Sequence, residues 1–282
     1  MSEGLLLVDK PKGITSHDAV HAIRRALETN KVGHAGTLDP MATGLLVVGV
    51  GRATRLLRYL SGLDKTYEGT GRLGSETDTL DADGDVVRTA EVAASRVDLA
   101  RVMAGLTGEI QQKPPAYSAV KVGGRPLHRA ARKGEEVEAP SRRVRIDSFE
   151  LAAFDGTDFE FRVTCSGGTY VRSLVADVGN ALGCGAHLVR LVRTRVGPFS
   201  LEDAVPLEEP GEPKPVERAV SHLPRLELEE HEAEAARHGR PLGPAGIDGP
   251  YGVYAPDGSL IGIYRDEGAK ARPEMILAPV GS

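Results

Sequence analysis

Gly33-His34-Ala35-Gly36-Thr37-Leu38-Asp39-Pro40-Met41-Ala42-Thr43-Gly44 runs directly into Leu45-Leu46-Val47-Val48-Gly49-Val50. The second stretch reads as an apolar strand, and the first as a loop punctuated by glycine that carries one imidazole and one carboxylate. Taken alone, an Asp before a Pro is an ordinary way to open a turn. Glycines at 33, 36 and 44 also leave room for a nucleotide backbone to come close to Asp39. Both readings stand at this point.

Outward from that loop, the elements follow from periodicity. Upstream, residues 4–8 read as a strand, Lys10-Pro11-Lys12-Gly13 as a turn, and Ser16 as the N-cap of a helix carrying Val20, Ile23 and Leu27. Downstream come an amphipathic stretch at 53–60, a strand at 66–73, and Asp83-Gly84 as a hairpin turn. Ser95 caps a helix with Leu99, Val102, Met103 and Leu106 on one stripe. Phe159, Phe161, Val163 and Cys165 alternate as a half-buried strand, Val171, Leu174, Val175 and Val178 form a helical stripe, and 189–196 is strand-like. Pro206-Leu207-Glu208-Glu209-Pro210-Gly211-Glu212-Pro213-Lys214-Pro215 has no apolar period and reads as a linker or surface connection. Beyond it lie a short helix at 229–238 and a hairpin around Pro256-Asp257-Gly258. Strands and helices mix without regular alternation, so the fold class is α+β. The expected domains are 1–220 and a small β-rich unit at 221–282.

Composition narrows the class. The 282 residues are 40% hydrophobic and 27% charged, the balance of a soluble globular protein. Aromatics make up only 4% and Trp is absent, so a Tyr inside a functional segment stands out. Cys165 and Cys184 are too few for a disulfide framework or a zinc site of their own. The apolar run at 5–8 stops at Asp9, and the run at 45–50 is far short of the roughly 30 Å hydrocarbon core. A cytoplasmic protein is expected.

The net charge of −5 argues against nucleic acid, but its distribution does not. Between 101 and 145 lie Arg101, Lys113, Lys121, Arg125, Arg129, Arg132, Lys133, Arg142, Arg143 and Arg145, against only Glu109, Glu135, Glu136 and Glu138. Arg190, Arg193 and Arg195 form a second run. A polyanion senses the field within a Debye length of roughly 8 Å, so local patches outweigh the sum. Charge alone is equally the mark of a solvated face.

Three motif readings fail. Gly49-Val50-Gly51-Arg52-Ala53-Thr54 lacks the third glycine of a dinucleotide fingerprint. Asp81-Ala82-Asp83-Gly84-Asp85 lacks the first and last acids of a calcium loop and reads as an acidic hairpin. No P-loop, nucleophile elbow or His-Glu-x-x-His helix is present.

Two further segments join Asp39. In Lys65-Thr66-Tyr67-Glu68-Gly69-Thr70-Gly71-Arg72-Leu73-Gly74, Tyr67 is either a strand tyrosine or a platform for a base. In Cys165-Ser166-Gly167-Gly168-Thr169-Tyr170-Val171-Arg172-Ser173-Leu174, a glycine pair turns the chain into a helix with Arg172 in its first turn. The helix dipole disfavours a cation there unless a carboxylate pairs with it. Asp39 is the candidate partner.

Together, Gly33 to Gly44, Val8-Asp9-Lys10-Pro11-Lys12-Gly13-Ile14-Thr15-Ser16, Lys65 to Gly74, Pro115-Ala116-Tyr117-Ser118-Ala119-Val120-Lys121, Gly168 to Arg172 and Gly183-Cys184-Gly185-Ala186-His187-Leu188 resemble the TruB family of tRNA pseudouridine-55 synthases. The resemblance keeps one register from about residue 4 to 200. It implies a pseudouridine synthase fold: a mixed, largely antiparallel sheet flanked by helices, with a small PUA-like C-terminal domain. The implied reaction breaks the C1′–N1 bond of uridine, turns the base, and joins C5 to C1′. The product is an isomer, so no redox cofactor, ATP or metal is implied. One carboxylate acts as nucleophile or base.

By the same resemblance that carboxylate is Asp39, with Tyr67 stacking on the target base and Arg172 orienting Asp39 and favouring its charged form. His34 and Tyr170 fall at nucleotide-contact positions and Leu191 at an apolar pocket position. An insertion at 113–145 would close over the TΨC arm of tRNA, with Lys121 and Arg132 as RNA contacts, and the target uridine would be flipped out of the arm. The expected partner is tRNA, with no membrane and no obligate protein partner; the chain would act as a monomer. Met41 stands where Leu is usual, and Ser166-Gly167 where a Lys is often seen. Three competing readings are a guide-dependent relative that works with partner proteins, an RNA-binding protein without catalysis, and a nucleotide-cofactor enzyme using Gly49 and Gly51.

Overall fold

The computed structural model describes residues 3–115, 117–118 and 140–277, and the backbone of 121–122 and 125–126. The chain opens with strands β1 (Gly4–Lys10), β2 (Val32–His34), β3 (Thr43–Val50) and β4 (Lys65–Leu73), followed by the small hairpin β5 (Ser75–Thr77) and β6 (Val86–Thr89). Next come β7 (Gly108–Gln112), the two-residue pair β8 (Lys121–Val122) and β9 (Arg125–Pro126), then β10 (Arg142–Phe154), β11 (Asp158–Cys165), β12 (Ala186–Val196), β13 (Phe199–Ser200) and β14 (Val205–Pro206). The main sheet runs β14-β1-β3-β12-β4-β11-β10-β7, with β2 beside β3 and β13 beside β12. Its neighbours are antiparallel except β1 with β14 and β3 with β12. A mixed, largely antiparallel sheet is therefore present, as expected.

Helices cover this sheet unevenly. Strands β1 and β3 are buried on both faces, which explains their unbroken apolar runs. Leu6, Val8, Leu46 and Val48 face Ala19, Val20 and Ile23 of helix α1 (Ser16–Ala26). Leu5, Leu7, Leu45 and Val47 face Leu56, Leu60 of α2 (Leu57–Ser61), and Tyr254, Leu260 and Ile263. The other half of the sheet buries one face, against Leu99 and Met103 of α3 (Arg96–Gly105) and Leu174, Val175 and Val178 of α4 (Val171–Ala181). Alternation in β11 puts Phe159, Phe161, Val163 and Cys165 inward against those helices.

The C-terminal unit has its own four-stranded sheet, β15 (Arg225–Glu227), β16 (Pro250–Tyr254), β17 (Leu260–Glu267) and β18 (Lys270–Ile276), in sequence order. Helix α5 (Glu230–Arg237) sits against it through Ala233 and Ala236. Polar contacts supplement the shared apolar cluster: the Tyr59 hydroxyl donates to Glu274 Oε2 at 2.8 Å, and Arg55 to the Ile276 carbonyl at 2.7 Å.

Three local expectations change. The cap of α1 is Thr15, not Ser16: Thr15 accepts from the Asp18 N–H while Asp18 accepts from the Thr15 N–H, a reciprocal capping box. Ser16 is instead pulled onto the Asp39 loop, accepting from the Leu38 N–H at 2.8 Å and donating to the Leu38 carbonyl at 3.1 Å. The Asp83-Gly84 turn is part of a longer loop between β5 and β6, drawn inward because Asp81 bridges to Leu188 of β12. The proline-rich stretch is docked, since Leu5 and Lys214 exchange backbone hydrogen bonds of 2.8 Å.

The parallel junction of β3 and β12 joins the two halves of the sheet. Gly44 sits there at φ 100°, where a Cβ would lie 2.5 Å from the Arg193 carbonyl oxygen. Both the left-handed backbone and the contact exclude a side chain. Gly44→Ala is expected to destabilise the protein by at least ~1–3 kcal/mol in urea unfolding; an unchanged midpoint would show that the junction tolerates a side chain.

Candidate active site

The loop bearing Asp39 leaves β2 and re-enters the sheet at β3, and four separate groups hold it. Ser16 pins Leu38, the Gly13 N–H donates to the Pro40 carbonyl at 2.8 Å, and the Ala42 N–H closes a turn onto the Asp39 carbonyl at 3.1 Å. The fourth is Arg193, fully buried, whose guanidinium donates to the carbonyls of Leu45 (2.7 Å), Gly36 (3.1 Å) and Thr37 (3.3 Å). An arginine that satisfies three backbone carbonyls fixes a loop in a way that a single-point cation such as Lys would not.

Asp39 opens into a cleft of about 450 Å³, within the range of small-ligand sites. Its walls include Tyr67, Leu191, Tyr170, Arg172 and Tyr117. Tyr67 is 6% exposed and comes from β4, Leu191 from β12, and Arg172 from the first turn of α4. Five of the residues singled out in the sequence, Asp39, Tyr67, Tyr170, Arg172 and Leu191, thus meet in one cavity. His34 does not line it; it is half-buried at the end of β2, where the loop begins. Lys121 lies on β8, and Arg132 falls outside the described residues.

Arg172 binds two carboxylates. Its Nε lies 2.9 Å from Asp39 Oδ2, and its Nη1 lies 3.2 Å from Asp81 Oδ2. Its N–H groups are aimed elsewhere, from Nη1 to the Thr79 carbonyl at 2.9 Å and from Nη2 to the Tyr117 carbonyl at 3.0 Å. The Nε–H vector misses the Asp39 oxygen, so Asp39 receives positive charge more than an aligned hydrogen bond. Arg172 and Asp81 are buried, with side chains 5% and 7% exposed, whereas the Asp39 side chain keeps 35% exposure.

The electrostatics follow from that partition. Loss of water pushes the Asp39 carboxyl above its ordinary range; Arg172 pulls it down, Asp81 pushes it up, and Lys10 pulls it down. The expected effect of Arg172 is present but does not win: burial leaves Asp39 a stronger base than a free carboxylate. Lys10, fully buried, gives its Nζ to the Pro11 and Ile14 carbonyls, and burial lowers it to about 8. Burial likewise lowers Lys65, which lines the cleft, to about 8. Burial also raises the Tyr67 hydroxyl and lowers the His34 imidazole.

Four of these residues escaped sequence reading. Asp81 was set aside with its acidic hairpin, and only the fold turns it inward. Arg193 was counted as part of a basic run, although two-residue spacing puts it on the same buried face as Leu191, which was the available signal. Gln112, 1% exposed, clamps Tyr170 by accepting from its N–H at 2.8 Å and donating to its carbonyl at 3.1 Å. Lys10 read as part of a turn.

Family models and known relatives match most of the chain. The model of the TruB family pseudouridylate synthase N-terminal domain matches residues 24–171, the tRNA pseudouridylate synthase B C-terminal domain matches 172–210, and the tRNA pseudouridine synthase II C-terminal model matches 223–278. A tRNA pseudouridine synthase B from Mycobacterium sp. (strain KMS) is 50% identical over 98% of this chain and 96% of its own. One from Thermobifida fusca (strain YX) is 46% identical over 99% of both. Among solved structures, a chain of a Cbf5-Nop10-Gar1 complex is similar at a TM-score of 0.76 and 29% identity, covering 98% of this chain and 85% of that one.

Because Asp81 is buried with Arg172 as its counter-charge, Arg172→Ala strands an anion as well as freeing Asp39. Urea unfolding is expected to show a loss of about 3–5 kcal/mol. A loss under about 1 kcal/mol would mean that Asp81 finds another partner.

Proposed function

The chain belongs to the TruB family of pseudouridylate synthases, and from that membership we propose that it isomerises uridine 55 in the TΨC arm of tRNA with Asp39 as its essential carboxylate. The observation that carries the assignment is the contact of Asp39 with Arg172 at the floor of the cleft beside Tyr67. Tyr67 stacks on the flipped base, Leu191 closes the apolar side, and Tyr170 touches the nucleotide. His34, at the end of β2, contacts the nucleotide chain outside the pocket. The product is an isomer of the substrate: the C1′–N1 bond breaks, a C1′–C5 bond forms, the proton on C5 leaves, and N1 takes up a proton. No group donor or redox partner enters that balance, so the reaction needs no cofactor. A buried carboxylate with raised basicity suits either attack on an electron-poor carbon or removal of a proton.

Residues 1–220 form the catalytic domain and 221–282 a PUA-like module that grips tRNA. The insertion 113–145 closes over the RNA arm, with Lys121 and Arg132 on its phosphates. The enzyme is a cytoplasmic monomer that needs no guide RNA or partner protein. What favours this over a guide-dependent relative is identity: 50% to a tRNA pseudouridine synthase B against 29% to the Cbf5 of a three-protein complex. Among the described residues no helix is long and apolar enough to cross a membrane.

The test uses unmodified tRNA transcript carrying tritium at C5 of uridine. The protein is expected to release one label per tRNA, and Asp39→Asn none. No release with the parent protein would reject the activity, and release with the variant would remove Asp39 from its role.

A further inference from the structure

The start of β10 carries three arginines, and two of them are occupied. Arg143 lies 3.4 Å from Glu109, and Arg145 holds Asp64 at 2.8 Å and Asp147 at 2.7 Å. Arg142 has no carboxylate within ion-pair distance among the described residues. By two-residue alternation it shares the inward face of Val144 and Ile146, yet it stands at the strand end, where that face gives onto the cleft wall. Its guanidinium carbon lies over the Tyr170 ring, 5.3 Å from the centroid.

Arg142 and its platform are built together. The β7–β10 register places Arg142 opposite Gln112, and Gln112 holds both backbone groups of Tyr170. Tyr170 lines the cleft, as does Gly168. Gly168 has φ 88°, and a Cβ there would be 3.7 Å from Arg142 Nη1, so this cation lies directly behind two residues of the cleft wall, Gly168 and Tyr170. Stacking fixes the plane of a guanidinium without consuming its N–H donors. A planar fork of free donors, already ordered, matches a phosphate, and ordering it beforehand removes an entropy cost from binding.

We propose that Arg142, held over the ring of Tyr170, is a phosphate-binding residue for the RNA backbone next to the flipped uridine. The proposal rests on the RNA-modifying reading above and adds a subsite to it. Arg142 touches the substrate away from the reacting atoms, so it contributes to binding more than to turnover.

Steady-state kinetics on tRNA transcript at several salt concentrations tests this. Arg142→Gln is expected to raise KM about tenfold and leave kcat within about threefold, and to reduce the slope of log KM against log salt by about one, the signature of one lost phosphate contact. Arg143→Gln, which removes an arginine already occupied by Glu109, is expected to change KM less than about threefold. Arg142→Lys keeps the charge but not the planar fork of donors, so the salt slope should persist with KM raised. The proposal is overturned if Arg142→Gln leaves KM and the salt slope unchanged, if it lowers kcat alone, or if Arg143→Gln does the same. Should Arg142→Gln not fold, an unchanged KM in Arg142→Lys overturns the proposal by itself. Loss of tritium release from the parent protein would instead fail the reading on which the proposal rests.

Discussion

One guanidinium organises the site. Arg172 sits between Asp81, which is buried, and Asp39, which faces the cleft. A buried cation is costly unless paired, and Asp81 supplies that pairing permanently. Arg172 therefore stays in place whether or not Asp39 is charged, and Asp39 keeps one side open to the cleft. The carbonyls of Thr79 and Tyr117 take its remaining N–H groups, so the cation is anchored from the β5–β6 loop and from the segment after β7. Rigid support of this kind lets a site keep a reactive geometry without substrate.

The same arrangement costs stability. Asp39 titrates above the ordinary carboxylate range. The folded state then binds more protons than the unfolded chain between the ordinary and the raised pKa, and stability falls as pH rises through that window. At neutral pH the charged Asp39 is a liability for the fold, as expected of a group retained for reactivity. Arg193 and Ser16 offset it by holding the loop backbone, and Gly44 allows β12 to approach closely enough for Arg193 to reach.

Much of this was legible in the sequence because the informative residues are local. The strands at 43–50 and 158–165 announce themselves by runs and alternation, and the helix at 96–105 by the Ser95 cap and its apolar stripe. Asp39, Tyr67 and Arg172 stand out as candidates because each sits in a short glycine-rich segment, and their roles come from the family resemblance those segments carry. Asp81 was not, since its role depends on a contact with a residue ninety-one positions away, and an acidic hairpin in solvent has the same sequence. Ser16 shows the same limit: Thr15 and Ser16 are equally good caps, and only the position of the Asp39 loop decides which hydroxyl goes to the helix. Arg193 and Gln112 are buried polar residues serving backbone groups of other segments. Such residues look like surface residues until the fold supplies their partners.

The central claim is that Asp39 reacts as a carboxylate whose basicity is set by burial, by Arg172 and by Asp81. The direct measurement is the pH dependence of single-turnover pseudouridine formation in the parent protein and in Asp81→Asn. The parent should lose activity on the acid side at a pH above the ordinary carboxylate range. Removing the negative charge of Asp81 should move that limb to lower pH, because Asp81 raises the Asp39 carboxyl. An acid limb that stays in place, or moves to higher pH, would contradict the account.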